Sequence, residues 1–160
     1  MSRVAIQDQY PDEFSHCYGC GRLNRHGLHI RSYWEGDEAV ATFAPTAYQI
    51  AVPGFVYGGL IASLLDCHGI AAAAAAQLQA EGRTIGDGPV PRFVTAALRI
   101  DYLKPTPLGP DLEIRGRPKA LQGRKVIVDV SLAAEGVLCA RGELIAAQMP
   151  ESMNLGHGRP

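Results

Sequence analysis

The chain predicts an α+β domain in which a curved antiparallel sheet wraps around one long central helix. Three observations carry that prediction. The run from Gly58 to about Ala80 holds Leu60, Ile61, Leu64, Leu65 and the alanines Ala71 to Ala76, and reads as a helix apolar nearly all round. After Arg92 the pattern changes to period two over four segments, as in strands with one face covered. Short turns join the last three of these segments and make them antiparallel neighbours. A helix with no charged face has to be covered on most sides, and here only the strands can cover it.

Taken in order, residues 1–27 are rich in turn formers and polar groups and form an N-terminal extension with a Cys-x-x-Cys turn at Cys17-Tyr18-Gly19-Cys20. Leu28 to Trp34 and Ala39 to Phe43, joined at Glu35-Gly36-Asp37, read as a first hairpin. The segment Pro45 to Val56 leads into the helix, and Glu81 to Arg92, with three glycines and two prolines, is the loop that leaves it. In the strand from Val94 to Tyr102, Val94, Ala96, Leu98, Ile100 and Tyr102 form an apolar face opposite Thr95, Ala97, Arg99 and Asp101. Pro105, Pro107 and Pro110 mark the turn after it. Strands at about Leu112–Lys119, Lys125–Ala133 and Val137–Ala147 continue the meander, with turns at Gln122-Gly123 and Glu135-Gly136. The domain thus spans 28–148, and residues 149–160, without apolar periodicity, form a flexible tail.

With 160 residues, 47% of them hydrophobic, one core is expected. A net charge of -1 with both signs interspersed supplies no field for nucleic acid or an anionic membrane. The first eight residues lack the apolar stretch of a signal peptide, so a cytoplasmic protein with no membrane partner is expected, its four cysteines reduced.

One side chain stands out. Asp66 is the only Asp, Glu, Lys or Arg between Glu38 and Glu81, within the otherwise apolar helix. Desolvating a carboxylate is costly, so such a group is either tied into a polar network or kept for chemistry.

Three segments carry a family resemblance: Cys17-Tyr18-Gly19-Cys20-Gly21 with Asn24 and Gly27-Leu28; Pro53-Gly54-Phe55-Val56-Tyr57-Gly58-Gly59 with Leu64-Leu65-Asp66; and Ile100-Asp101-Tyr102-Leu103-Lys104-Pro105 with Gly109. They resemble the acyl-CoA thioesterases of the hotdog fold, the branch that includes the 4-hydroxybenzoyl-CoA and phenylacetate-pathway types. The family pattern is His-Gly-Gly with an acidic residue seven places after the second glycine, here Asp66; this chain has Tyr57 in place of the His. The resemblance implies hydrolysis of an acyl-CoA to free acid and coenzyme A without cofactor or metal. It makes Asp66 the general base or nucleophile, the backbone N–H of Gly58 the donor to the thioester oxygen, and Thr95 a hydroxyl that orients water or the carboxylate. Tyr57, Gly59 and Gln49 would shape the substrate pocket.

Gly58 and Asp66 are eight residues apart, roughly 12 Å along a helix. One carbonyl does not meet both in a single chain, so the site would join Asp66 of one subunit to Gly58 of another and require a two-fold dimer. The resemblance implies the same homodimer, extending to a dimer of dimers, a homotetramer.

Arg124 and Lys125 at a strand turn, with Arg99 and Lys104, are candidates for the phosphates of coenzyme A. His68 is two residues from Asp66, off its face, and reads as a core histidine rather than a catalytic one. Cys17 and Cys20 with His16, His26 and His29 offer metal-type ligands but lack a second Cys pair, so the cysteines are read as small apolar groups and no metal is expected. Two other readings of the site remain beside the hydrolase: a non-hydrolytic acyl-thioester binding protein, and a hotdog-fold enoyl-CoA hydratase or dehydratase, which would need a His paired with a carboxylate.

Overall fold

A computed structural model describes residues 3–153. After two short 3-10 turns at Ile6–Gln9 and Asp12–Phe14 come β1 (Tyr33–Glu35), β2 (Glu38–Phe43), α1 (Gly58–Ala80), β3 (Phe93–Tyr102), β4 (Leu112–Gln122), β5 (Lys125–Ala134) and β6 (Val137–Gln148). The strands form one antiparallel sheet in the order β1-β2-β4-β5-β6-β3, and α1 packs on its inner face against β2 to β6. This is the hotdog architecture, with the helix as the filling.

The residues that bring α1 so close are small. Ala71 to Ala75 are essentially inaccessible to solvent. A Cβ on Gly69 would stand 2.9 Å from a methyl of Leu144, and one on Gly116 in β4 would stand 3.1 Å from both Ala72 and the ring of His68. Around this contact Leu64, Leu65, Leu112, Ile114, Val128, Leu132 and Leu144 complete the core. The helix is long and apolar enough to cross a membrane, with a mean hydropathy of 1.5, yet 78% of its most apolar stretch is buried in this fold.

Three expectations are corrected. Leu28 to Ser32 does not join the first hairpin, which begins only at Tyr33. Those residues bond to the N-terminal segment instead: Leu28 N–H donates to Tyr18 O, Ile30 N–H to Gly19 O, Ile6 N–H to Ser32 O, and Ser32 N–H to the side chain of Gln7. His29, at φ 53, breaks any continuous strand. The meander is also incomplete, because β2 takes the edge of β4, pairing Ala39–Phe43 with Leu112–Gly116. β3 therefore crosses over to lie beside β6, where its far edge is open.

The third correction concerns alternation in β3. The pairing slips between Thr95 and Ala97, so that Thr95 lies opposite Ala146 and Leu98 opposite Leu144, both of them buried. Strict alternation would set Thr95 and Leu98 on opposite faces, whereas a bulge at Ala96 turns both toward α1. The last turn follows expectation: Glu135 at φ 50 and Gly136 at φ 77 make the two-residue connection that suits twisted antiparallel strands. Of the expected tail, Met149 donates to Arg92 O and Glu151–Met153 form a 3-10 turn, while 154–160 lie outside the described residues.

Candidate active site

Asp66 sits at the middle of α1 and, through the bulge in β3, meets Thr95: the Thr95 hydroxyl donates to Asp66 Oδ1 at 2.5 Å. Burial pushes the Asp66 carboxyl above the usual carboxylate range, the nearby Cys17 adds to the rise, and the Thr95 bond opposes both. A carboxyl so placed is a stronger base than an exposed aspartate, and with Oδ1 held by Thr95 its second oxygen is left for a water or a substrate.

The pair opens into a cavity of about 190 Å³ between the N-terminal segment, α1 and the start of β3, lined among others by Cys17, Cys20, Cys67, Arg92 and Phe93. That volume lies below the roughly 300 Å³ at which ligand pockets begin. A larger cleft of about 640 Å³ lies elsewhere, among Arg99, Asp101, Arg115, Arg117, Arg141 and Glu143. Several of those charges are already matched, Arg99 with Asp101 and Arg115 with Glu38 and Glu113. Its lining has neither Asp66 nor a thiol.

The second feature is the start of α1. Tyr57 is its N-cap residue; Leu60 and Ile61 N–H both turn back to Tyr57 O, while among the described residues no side chain caps the helix and the N–H groups of Gly58 and Gly59 take no backbone acceptor. Two unpaired donors at a helix N-terminus form a site for a developing oxyanion. The helix start is held in place by Tyr102, whose hydroxyl donates to Gly58 O at 2.8 Å. A Cβ on Gly58 would meet the Tyr102 ring at an ordinary 3.6 Å, and one on Gly59 would overlap the ring of Tyr57, which folds over the helix end. The close helix–sheet approach is thus made at Gly69 and Gly116, and the glycine pair keeps the helix end open.

Gly58 and Asp66 are the ends of an unbroken helical stretch, so the roughly 12 Å between them along the axis holds in the folded chain. Gln49 O accepts from Tyr57 N–H while its side chain accepts from Thr46 N–H, tying together the loop before α1. Arg124 and Lys125 are exposed at the β4–β5 turn, outside the Asp66 cavity. Exposed apolar side chains gather on the loops beside the helix start and the open edge of β3, with Tyr48 82%, Val52 59%, Tyr57 56% and Tyr102 53% accessible.

His68 lies on the far side of the helix from this chemistry. Its Nε2–H donates to Ala39 O at 2.9 Å and its Nδ1 accepts from Ser32 Oγ at 2.8 Å, the tautomer being set because a carbonyl only accepts. Complete burial holds its pKa down at about 4. His16, His26 and His29 do not join Cys17 and Cys20; Cys67 does, with the three Sγ atoms within 4.8 Å of one another.

Two contributors have no local signal in the sequence. Arg92 reads there only as the end of a loop, and Tyr102 only as a strand residue within the third family segment, because Tyr102 and Gly58 are 44 positions apart. Cys67 has one: a thiol immediately after the single helix carboxylate, in a chain that already holds a Cys-x-x-Cys turn.

The thioesterase superfamily model matches residues 53–140, more than half of the chain. A thioesterase superfamily protein of Shewanella loihica PV-4, known from its crystal structure, is 48% identical, with 87% of this chain and 98% of that one covered and a TM-score of 0.67. The PaaI protein of the E. coli phenylacetic acid degradation operon shares the fold at 19% identity, over 77% of this chain and 81% of that one, with a TM-score of 0.63. Among curated proteins, the acyl-coenzyme A thioesterase THEM4 of Xenopus laevis is 31% identical over 96 residues, 58% of this chain and 36% of the relative. The chain therefore spans about a third of the length of that relative.

Proposed function

This chain belongs to the thioesterase superfamily, and on that premise we propose that it hydrolyses an acyl-CoA thioester to the free acid and coenzyme A, with no cofactor, in the cytoplasm. The observation that carries the reading is the half-buried Asp66 carboxylate, its pKa raised by burial, held by Thr95 at the edge of a small cavity. Asp66 takes the proton of the attacking water, or itself attacks the carbonyl to give a mixed anhydride that water then opens. Thr95 fixes the carboxylate in either route. The free N–H groups of Gly58 and Gly59 stabilise the oxyanion, and the loss of the motif histidine at Tyr57 leaves these backbone donors untouched.

The site is shared by two chains. The axial separation of Gly58 from Asp66, the small volume of the cavity in one chain, and the exposed aromatic residues beside the open edge of β3 all support a two-fold dimer, and further a dimer of dimers. Pairing of the β3 edges would set the helix start of one subunit beside Asp66 of the other. Tyr57 and Gln49 then border the acyl group, and the exposed Arg124 and Lys125 are offered to the coenzyme A phosphates.

A panel of straight-chain and aromatic acyl-CoAs, read by release of free thiol, tests the reading. Turnover on at least one acyl class is expected, with Asp66→Asn folded, still binding acyl-CoA, and slower by at least about 10²-fold. Loss of an enoyl chromophore without thiol release would make the protein a hydratase, and tight binding without turnover an acyl-thioester binding protein.

A further inference from the structure

We propose that Cys17, Cys20 and Cys67 form a three-thiolate site for a single thiophilic metal ion of the zinc class, fastening the N-terminal segment to α1 beside Asp66. Cys17 and Cys20 come from the N-terminal turn and Cys67 from the middle of the helix, and the three Sγ atoms lie within 4.8 Å of one another. The Sγ atoms of Cys17 and Cys67 are 3.7 Å apart. Two thiolates on a tetrahedral ion with bonds of about 2.3 Å stand about 3.8 Å apart, so this edge of the site is already formed.

The turn is shaped for that convergence. A Cβ on Gly19 would fall 2.3 Å from Cys67 Sγ, so only glycine lets the turn reach the helix thiol. A Cβ on Gly21 would strike the backbone of Cys17 and Ser15. Gly21 N–H closes the turn onto Cys17 O, and Leu28 and Ile30 N–H hold Tyr18 O and Gly19 O from outside, leaving the thiols to face inward.

Charge supplies a second, independent observation. Three thiolates around a divalent cation leave one net negative charge. Arg92 borders the same cavity, its guanidinium stacked on Tyr10 at 4.6 Å, and its buried Nη1 has no hydrogen-bond partner among the described residues. A half-buried guanidinium with one buried, unmet donor offers the counter-charge such a site requires. Sulfur donors exclude calcium and magnesium, which take oxygen. All three thiols line the cavity beside Asp66, from which a fourth ligand would enter. Cys139 is separate, its thiol turned to Val137 O.

The experiment uses the full chain, reduced, stripped with chelator and titrated anaerobically with Co2+. One equivalent should bind, with thiolate-to-cobalt charge transfer in the near ultraviolet and tetrahedral d–d bands, and Zn2+ should displace it. Cys67→Ala, which continues an alanine-rich helix, should weaken Co2+ binding at least about 100-fold, because removal even of an outer-shell partner costs 10- to 100-fold. Cys139→Ala should leave it unchanged. Cys17→Ser repeats the test at a half-buried position if Cys67→Ala fails to fold. Absence of charge transfer in the wild-type chain, its survival in folded Cys67→Ala, or a Cys17–Cys67 disulfide in place of bound metal would each overturn the proposal.

Discussion

His68 ties three parts of the fold into one network, and acid should undo it in a measurable way. Gln7 Nε2 donates to Ser32 Oγ, Ser32 Oγ donates to His68 Nδ1, and His68 Nε2 donates to Ala39 O, so the N-terminal segment, α1 and β2 meet at one neutral imidazole. Protonation would place a charge in the core and force the Ser32 hydroxyl to turn its proton away from Nδ1. The pKa in the fold is about 4 against an ordinary 6.5, so the unfolded chain binds the extra proton over this interval. The contribution is therefore fully present above pH 6.5 and is lost as pH falls toward 4. Each tenfold difference in proton affinity between the folded and unfolded chain is worth about 1.4 kcal/mol, so up to about 3 kcal/mol is at stake. His68→Leu removes the titration and strands two buried polar groups, at a cost of about 2 kcal/mol or more at pH 7. Urea unfolding of both chains from pH 7 to 4 should show the gap between them closing as pH falls, since carboxylates common to both cancel in the difference. Parallel profiles, or a His68 pKa near 6.5 by NMR titration, would refute this account of the network.

Two further outcomes follow from the site. Thr95→Ala removes the bond that holds the Asp66 carboxyl down, so its pKa should rise further and the acidic limb of the kcat/KM profile should move to higher pH, with a smaller loss of turnover than Asp66→Asn; an unmoved limb would detach Thr95 from the carboxylate. Tyr57→His restores the family residue over an unchanged pair of backbone donors. It should alter acyl preference more than the best turnover number, and a large gain on every substrate would mark the natural chain as a weakened enzyme.

The parts of this molecule legible in its sequence are those set by local physics. The helix from Gly58 to Ala80 is readable because nothing in it is charged but Asp66, and the β4–β5–β6 meander because Gln122-Gly123 and Glu135-Gly136 are strong turn signals. Strand order is not, since β3 pairs with β6 only because β2 occupies the edge of β4, a competition between segments some 70 residues apart. Leu28 to Ser32 misleads for the same reason: its alternation fits a strand, but its backbone partners lie upstream at Ile6, Gln7, Tyr18 and Gly19. The Asp66–Thr95 pair follows from the family pattern, although strict alternation in β3 would have aimed Thr95 away from the helix; the bulge at Ala96 supplies the missing half turn. The third thiol of the cysteine cluster lies in plain view next to Asp66, and only the fold shows that it meets the other two.

The central claim is that one thioester is served by Asp66 of one chain and the helix start of another, and subunit complementation tests it most directly. Asp66→Asn and Gly58→Val chains should each be inactive alone, the second because a branched side chain at the open helix end crowds the oxyanion donors and Tyr102. Refolded together or co-expressed, they form heterodimers in which one of the two interface sites joins the intact Gly58 of the first chain to the intact Asp66 of the second. The account predicts that this site runs at close to the wild-type rate per competent site. Folded, verified heterodimers that stay as inactive as their parents would place each site within a single chain and contradict it.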